Sequence, residues 1–383
     1  MNDAFICEAI RTPIGRKNGT LSATRADDLA GHVLTKLVER AGIEPGAVED
    51  VVMGCVTQIG EQGWNIGRTA VLDAGFPVEV CGTSVNRMCG SSLQTTNFVA
   101  QAIMAGQADV SISAGVECMS RTMMGSDGGD LSPRVTDRYT IVPQGLSAEL
   151  IAEQWGITRE ELDDFSWTSH QRALAAQAEG KFVNEIVPIE VTRPDGETVT
   201  FNADETPRDS PREKVGSLNP VFKPDGVITA ANSSQICDGA AALLLASARG
   251  VEQHGLRRRA RIVSTGLSGV DPMLMLNGNP AAMNKALERA GLGLSDMAVI
   301  EVNEAFAVVP LQTLRDLDAE DRMADINPNG GGISLGHPLG ASGVRILTTM
   351  LNELERRDER YGIAAMCIGF GMAIATIIER LDE

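Results

Sequence analysis

The sequence predicts an α/β fold built from two similar halves with a loop-rich insertion. Three observations predict it. Strand and helix patterns alternate over the first 117 residues, the same order returns about 249 residues later, and the stretch between loses its periodicity. Residues 4–9, Ala4-Phe5-Ile6-Cys7-Glu8-Ala9, read as a strand, and Arg11-Thr12-Pro13-Ile14-Gly15 as a loop. A helix over 26–40 follows, with Leu29, Val33 and Leu37 as its apolar stripe and Ala41-Gly42 as its close. Val51-Val52-Met53-Gly54-Cys55 is short and continuously apolar, as a strand covered on both faces should be. A second helix is predicted over 65–74. Asp109-Val110-Ser111-Ile112-Ser113-Ala114-Gly115 alternates strictly, the pattern of a half-buried strand. The short connections imply a largely parallel sheet.

Between that strand and its helix-forming predecessor lies Asn86-Arg87-Met88-Cys89-Gly90-Ser91-Ser92-Leu93. Leu93, Thr96, Ala100 and Ile103 have helical spacing, and Gly106 closes the helix. Cys89 therefore stands just outside a helix N-terminus, where free N–H groups and the positive end of the dipole favour a thiolate. Taken alone, the segment is also read as a buried structural cysteine.

From about 118 to 240 the texture changes. Residues 121–143 are rich in Gly, Ser, Asp and Pro. A helix is predicted over 144–155, and another starts at Thr158-Arg159-Glu160-Glu161, a capping-box pattern, and runs to Ala178. His170 lies on it and reads as an ordinary surface or packing histidine. Residues 191–226 are polar and turn-rich, an inserted subdomain whose loops would grip a ligand. The apolar run 240–246 then re-enters the first core. The predicted organisation is a first half of residues 1–117 with 240–260, an insertion over 118–239, and a second half over 261–383.

The repeat is explicit. Leu37-Val38-Glu39-Arg40-Ala41-Gly42 and Val51-Val52-Met53 return as Leu287-Glu288-Arg289-Ala290-Gly291 and Val299-Ile300-Glu301. The same offset sets Cys89 against His337, in Gly336-His337-Pro338-Leu339-Gly340-Ala341-Ser342-Gly343. A helix follows with Val344, Leu347, Leu351 and Leu354 at matching spacing, and Pro338 suits its first position. Two such units packed face to face about a pseudo-dyad bring two helix N-termini together, one tipped with a thiol and one with an imidazole. Near a helix N-terminus the cationic imidazole is disfavoured, so neutral His337 would be available to take the Cys89 proton, the pairing used in covalent acyl transfer. Asn303, at a strand end, would orient a water or amide toward an oxyanion. Cys367, in Cys367-Ile368-Gly369-Phe370-Gly371, offers a second acid/base thiol, and Gly369 an oxyanion N–H. Gly330-Gly331-Gly332 lacks both the lysine of a phosphate loop and the dinucleotide register.

A formal net charge of -18 argues against a nucleic-acid surface. The one basic cluster, Arg257-Arg258-Arg259-Ala260-Arg261, reads as a solvated loop face. The 7 cysteines are scattered without a C-x-x-C pair, which fits a reducing compartment and lacks zinc spacing. Met1-Asn2-Asp3-Ala4 has no signal-peptide pattern, and the apolar run 364–378, broken by Gly369 and Gly371, is too short to span a bilayer. The expectation is a cytoplasmic protein without membrane insertion.

With these residues assembled, the sequence resembles the thiolase family, the acetyl-CoA acyltransferases, along nearly its whole length. The matching stretches are Asn86-Arg87-Met88-Cys89-Gly90-Ser91-Ser92, Asn303-Glu304-Ala305-Phe306, Gly331-Gly332-Ile333-Ser334-Leu335-Gly336-His337-Pro338 and Cys367-Ile368-Gly369-Phe370-Gly371. The resemblance implies a thiolase-like fold, two βαβαβαββ halves layered as an α-β-α-β-α sandwich with an inserted loop domain. It implies Cys89 as acylated nucleophile, His337 as its activator and Cys367 as proton shuttle. It further implies Asn303 as holder of a water for one oxyanion hole, and the N–H groups of Cys89 and Gly369 as the other. Arg208 and Ser234 match positions that contact coenzyme A, and Phe306 lines the pocket. Acyl-CoA and CoA would be the substrates, with no metal and no prosthetic group. A homodimer or homotetramer is implied, and a hydratase/dehydrogenase partner is left open.

Two departures stand out. Phe370 occupies a position where many members have Gly, which would narrow the pocket wall. Around Val142-Pro143-Gln144-Gly145-Leu146-Ser147-Ala148-Glu149 there is no His-Met-Gly, a feature of members that make acetoacetyl-CoA. This favours the degradative branch, 3-oxoacyl-CoA thiolysis, over acetyl-CoA acetyltransferase activity. A non-catalytic acyl-CoA or lipid binder is disfavoured because all the polar site residues are present, and the motif order and insertion fit a carrier-protein-dependent condensing enzyme poorly.

Overall fold

The strand and helix patterns are realised in sequence order. The structure is a computed structural model that describes residues 2–193 and 196–382; Pro194 and Asp195, in the turn-rich stretch, lie outside it. The first half contains β1 (Phe5–Arg11), β2 (Gly15–Arg16), α1 (Ala26–Ala41), β3 (Asp50–Gly54), α2 (Ile66–Asp73), β4 (Cys81–Val85), α3 (Ser91–Met104) and β5 (Val110–Cys118). Next come α4 (Pro133–Thr136), α5 (Gln144–Trp155), α6 (Arg159–Ala178), the paired β6 (Ile189–Thr192) and β7 (Thr198–Phe201), and α7 (Arg212–Gly216). The chain continues with β8 (Cys237–Ala246), α8 (Ala248–His254), β9 (Ala260–Gly269), α9 (Asn279–Ala290) and β10 (Met297–Val302). It closes with α10 (Val308–Asp316), α11 (Ser342–Arg357), β11 (Tyr361–Ile368) and β12 (Met372–Arg380). No helix among the described residues is long and apolar enough to cross a membrane.

Local chemistry sets the ends. Gly42 adopts φ 69 and its N–H caps the carbonyls of Val38 and Glu39, a left-handed closure that glycine adopts without strain. Thr158 and Glu161 form the capping box at the start of α6.

The strand order β10-β11-β12-β9-β1-β8-β5-β3-β4 runs through both halves, but β1 meets β9 only at Phe5/Arg261 and Ile6/Ala260. Each half thus keeps its own sheet, and β3-β5-β8-β1 is matched strand for strand by β10-β11-β12-β9. The counterpart of β4 is reduced to a parallel bridge between Ile300 and Ile326. Both sheets are mixed rather than largely parallel. β3 pairs in parallel with β4 and β5, and β10 with β11, while β8 and β12 run antiparallel to their neighbours. The alternation signals the crossovers but not the strands that return without a helix.

Three packed clusters define five layers. One joins α1 and α2 to the outer face of the first sheet, and another joins α9 and α10, with α5 and α6, to the outer face of the second. Between the sheets lies the third, containing Leu93, Ala100 and Ile103 of α3 with Val344, Leu347 and Leu351 of α11. This central layer explains two departures from the sequence reading. β5 is buried along its whole length because its polar face meets α3, where Ser113 Oγ bonds Thr95 and Thr96 at 2.8 and 2.9 Å. α3 likewise buries Ser91, Ser92, Gln94, Thr95, Thr96 and Asn97 as well as its apolar stripe. Hydrogen bonding makes that burial tolerable.

The basic cluster is also not a solvated face. Arg259 is buried against Glu8, Glu355 and Asn352, Arg261 pairs with Glu379, and the Arg258 guanidinium lies 4.8 Å from the Phe5 ring centre. The cluster marks the seam where β9 joins β1, so partners from three separate segments gather around it.

The two central helices approach through glycines. A Cβ on Gly343 would lie 2.1 Å from Leu93 N, and one on Gly115 2.1 Å from Gly340 O. Gly343→Ala is therefore expected to destabilise the protein by about 3 kcal/mol, since backbone has no room to yield. Urea unfolding checks this; an unchanged midpoint would show that the crossing tolerates a methyl group.

Candidate active site

Cys89 is presented by a loop whose shape its own polar groups fix. Asn86 Oδ1 accepts from Met88 N at 2.8 Å, and Asn86 Nδ2 donates to Val56 O at 2.9 Å. Ser91 Oγ accepts from Arg87 N and donates to Met88 O. Met88 takes φ 46, a left-handed conformation that is uncommon for a side chain of its size. Gly90 caps α3, where a Cβ would lie 2.6 Å from Ile368 Cδ1. Cys89 is thus held just before the first turn of α3 and is buried.

The His337 segment belongs to the other half. Its loop is tied by Gly340 N–H to Glu117 Oε2 at 2.8 Å, and Glu117 also accepts from Val56 N, Thr57 N and Gln62 Nε2. One buried carboxylate therefore fastens the loop after β3 to the loop before α11. Val344 N donates to Ser92 Oγ at 3.1 Å, completing the join between the first turns of α3 and α11. Pro338 is not the first helical residue. α11 starts at Ser342, and Pro338 O instead accepts from Ala341 N and Ser342 N in the turn that precedes it.

The imidazole is fixed from both sides. Ser342 Oγ donates its single hydrogen to Pro338 O at 2.9 Å and sits 2.5 Å from His337 Nδ1. In the tautomer with the proton on Nδ1 it accepts from Nδ1–H, which leaves Nε2 unprotonated as the basic nitrogen. Asn303 Nδ2 lies 3.2 Å from that Nε2 and donates to it. Asn303 follows the end of β10, and its N–H bonds Ala365 O, which ties it to β11. Its Oδ1 has no donor among the described residues.

Cys367 stands one residue before the end of β11, and Gly369-Phe370-Gly371 turns the chain into β12. Loss of solvent dominates at the Cys89 thiol, with the backbone of Cys89 and Gly369 and the Gln144 side chain acting in the opposite direction, and the Cys367 thiol is raised by burial and then by nearby Cys89. Phe370 occupies the tip of this turn at φ 64 and is 41% exposed, so it sits at the mouth of the hairpin. Gly371, at φ 81, has no room for a Cβ because Val270 O would lie 2.5 Å from it.

Burial dominates the electrostatics. The Cys89 thiol is pushed up to about 11 and the Cys367 thiol well above its ordinary range, each chiefly by loss of solvent. His337 is pushed down to about 3 by burial and by the nearby Arg345 guanidinium. Thiol and imidazole are consequently neutral at rest, and any thiolate must be made by proton transfer rather than stored as an ion pair.

Arg208 is exposed; its Nη2 donates to Gln235 Oε1 at 3.0 Å, and its N–H donates to His170 Nδ1 at 3.1 Å. Gln235 Nε2 donates to Ile333 O, and Gln235 O accepts from His337 N, so Arg208 is linked to the histidine loop through one side chain. Ser234 N bonds Ala305 O, and Phe306, bridged to Ser233, packs edge-on to Phe222 with ring centres 6.0 Å apart. Ser234 and Phe306 therefore border the strand end that carries Asn303, while Arg208 borders the histidine loop. Sequence reasoning missed Gln144, Glu117, Gln235 and Ser342. Only Ser342 carried a local signal, its position five residues beyond His337; the others act across separate elements.

Comparison with known proteins adds an independent finding. Residues 4–249 match the family model described as the thiolase N-terminal domain, and residues 256–380 match the thiolase C-terminal domain. The chain is 45% identical to the beta-ketoadipyl-CoA thiolase of Acinetobacter baylyi over 401 aligned positions, covering 100% of both chains. It is 44% identical to the 3-ketoacyl-CoA thiolase of Vibrio vulnificus, covering 99% of this chain and 100% of that one. The crystal structure of the Bacillus anthracis acetyl-CoA acetyltransferase superimposes with a TM-score of 0.92 at 38% identity, covering 100% of this chain and 99% of that one.

A neutral resting pair has a kinetic signature. Inactivation by iodoacetamide should rise steadily with pH from about 6 to about 10, because the thiolate fraction keeps growing below the thiol's raised pKa. A plateau already reached near neutral pH would reveal a preformed thiolate instead.

Proposed function

The chain belongs to the thiolase family, and from that premise we propose that it is a 3-ketoacyl-CoA thiolase whose acyl intermediate forms on Cys89. The observation that carries this reading is the join between the first turns of α3 and α11, Val344 N to Ser92 Oγ at 3.1 Å, which brings the Cys89 loop and the His337 loop together, with Asn303 Nδ2 3.2 Å from His337 Nε2.

The proposed cycle balances with two protonic groups. His337 Nε2 takes the Cys89 proton, and the thiolate attacks C3 of a 3-oxoacyl-CoA. The resulting oxyanion is held by the N–H groups of Cys89 and Gly369. The C2–C3 bond then breaks, its electron pair passes to C2, and Cys367 Sγ–H protonates that carbon to release acetyl-CoA. Asn303 and the protonated His337 face the enolate oxygen during this step. A CoA thiol returns a proton to Cys367, and its sulfur attacks the acyl carbonyl. Cys89 leaves as a thiolate and recovers its proton from His337.

A raised imidazolium energy suits this cycle. Because burial, and after it the Arg345 charge, disfavours protonated His337, the proton is returned readily when Cys89 is expelled. Arg208, Ser234 and Phe306 are assigned to the coenzyme A side of the cleft, which the insertion borders. CoA enters as substrate, and the cycle draws on no metal or prosthetic group. Subunit pairing, as a homodimer or homotetramer, is assigned to the partly exposed edge strand β4. The free state of Cys7, Cys55, Cys81, Cys89, Cys118, Cys237 and Cys367 supports a reducing, cytoplasmic setting.

Cys89→Ser should abolish labelling by a radioactive 3-oxoacyl-CoA and lower turnover by at least ~10³-fold, since removing a covalent nucleophile removes its whole route. Full turnover in that variant would end the assignment. In a panel of 3-oxoacyl-CoA esters, an eight-carbon substrate should be cleaved faster than the four-carbon one. The reverse order would favour the acetoacetyl-CoA-forming enzyme.

A further inference from the structure

The contact between Asn303 Nδ2 and His337 Nε2, 3.2 Å long, joins two loops of the second half, and the segment 232–235, which leads into β8, holds both of them. On one side, Asn232 O accepts from Ala307 N at 2.9 Å and Ser234 N donates to Ala305 O at 3.0 Å, which fixes the chain just after Asn303. On the other, Gln235 N donates to Gly332 O at 3.3 Å and Gln235 O accepts from His337 N at 3.2 Å, so this one residue spans the stretch 332–337. Its side chain closes the span. Gln235 Nε2 donates to Ile333 O at 2.8 Å, Thr206 O at 3.0 Å and Ser334 O at 3.2 Å, and Oε1 accepts from Arg208 Nη2 at 3.0 Å. An amide carries two N–H groups, so the three carbonyls share them and no donor is left over. Ile333 N also donates to Glu304 Oε2 at 3.0 Å, and Thr206 Oγ1 to Leu335 O at 2.9 Å, but both bonds stop short of His337.

We propose that Gln235 is a positioning residue for His337, whose side-chain amide holds the stretch 332–337 so that the imidazole stays against Asn303 Nδ2. This rests on the thiolase reading of the site, in which His337 takes and returns the Cys89 proton. The amide touches no reacting atom, so it acts through the loop alone. Without it the carbonyls of Ile333, Ser334 and Thr206 lose their shared donor, and the loop that ends at His337 loses its tie to the Thr206 segment. Proton transfer is sensitive to such a loss, because a displacement of about 1 Å at a group that must meet its partner costs up to ~10²-fold in rate. His337 enters both half-reactions, so the loss falls on turnover rather than on CoA binding.

The test uses the full-length protein with Gln235→Met, which keeps the length and removes the donor, and Gln235→Glu, which keeps the shape and the acceptor for Arg208 but sets a carboxylate against three carbonyls. Thermal unfolding identifies which variants are folded, and either one suffices. With a 3-oxoacyl-CoA, kcat for Gln235→Met should fall about ten-fold, and for Gln235→Glu further, while KM for CoA stays within about three-fold, a split that general loosening of the cleft would not give. The second readout is independent of turnover. The chain has 4 histidines, so protein labelled with nitrogen-15 histidine gives few ring signals, and that of His337 is identified by its loss in His337→Asn. Those ring nitrogen signals should shift in the Gln235 variants as the Asn303 contact is lost, while those of His32 on α1 and His254 on α8 stay in place. A kcat within two-fold of the unmodified protein, or an unmoved His337 signal in a folded variant, would overturn the proposal. If the unmodified protein cleaves no 3-oxoacyl-CoA, yet the His337 signal still moves, the thiolase reading falls and the positioning role stands.

Discussion

Two helices cross between two sheets with their backbones in contact, and the site exists because of that crossing. Gly343 leaves room for Leu93 N, and Gly54 and Gly115 leave room for the turn at Gly340. No side chain separates the first turns of α3 and α11, so the loops that precede them, bearing Cys89 and His337, open onto one region. Glu117 fastens the arrangement by accepting from Val56, Thr57 and Gly340 at once. A buried carboxylate so well supplied with donors is a fixed strut between the two halves.

The same burial that makes the crossing possible determines the chemistry. In a site shielded from solvent, charge is expensive, and both thiols and the imidazole are driven toward their neutral forms. Such a site holds hydrogen-bond donors ready for charge that appears only during reaction, which is the arrangement that favours a transition state over a ground state. Ser342 contributes by fixing the imidazole tautomer, and Asn303 by occupying its basic nitrogen until substrate arrives.

The insertion completes the site from outside the duplicated core. Gln144 Nε2 lies beside Gly369, and Phe222 backs Phe306. Arg208 and Gln235 lead from the surface toward the His337 loop. Duplication sets Cys89 and His337 at matching places before α3 and α11, whereas Phe222 and Arg208 come from the insertion. The Gly369-Phe370-Gly371 turn adds a further asymmetry, with Phe370 held in a left-handed conformation at its tip.

The sequence by itself determined the order of elements, the duplication, the caps at Gly42 and Thr158, and which side chains are candidates for the site. These are written in short-range periodicity, in glycine and capping chemistry, and in recurring local patterns. What only the tertiary structure decided is what lies between distant segments. The polar faces of β5 and α3 are buried because a second sheet closes over them, and Arg259 is buried because β9 meets β1 there. The antiparallel return of β8 and β12, the Glu117 strut and the placing of Gln144 beside Gly369 likewise join residues far apart along the chain. A local pattern records the face a residue presents to its own helix or strand. It carries no record of which other segment will pack against that face, and burial, charge state and hydrogen-bond partners depend on that second segment.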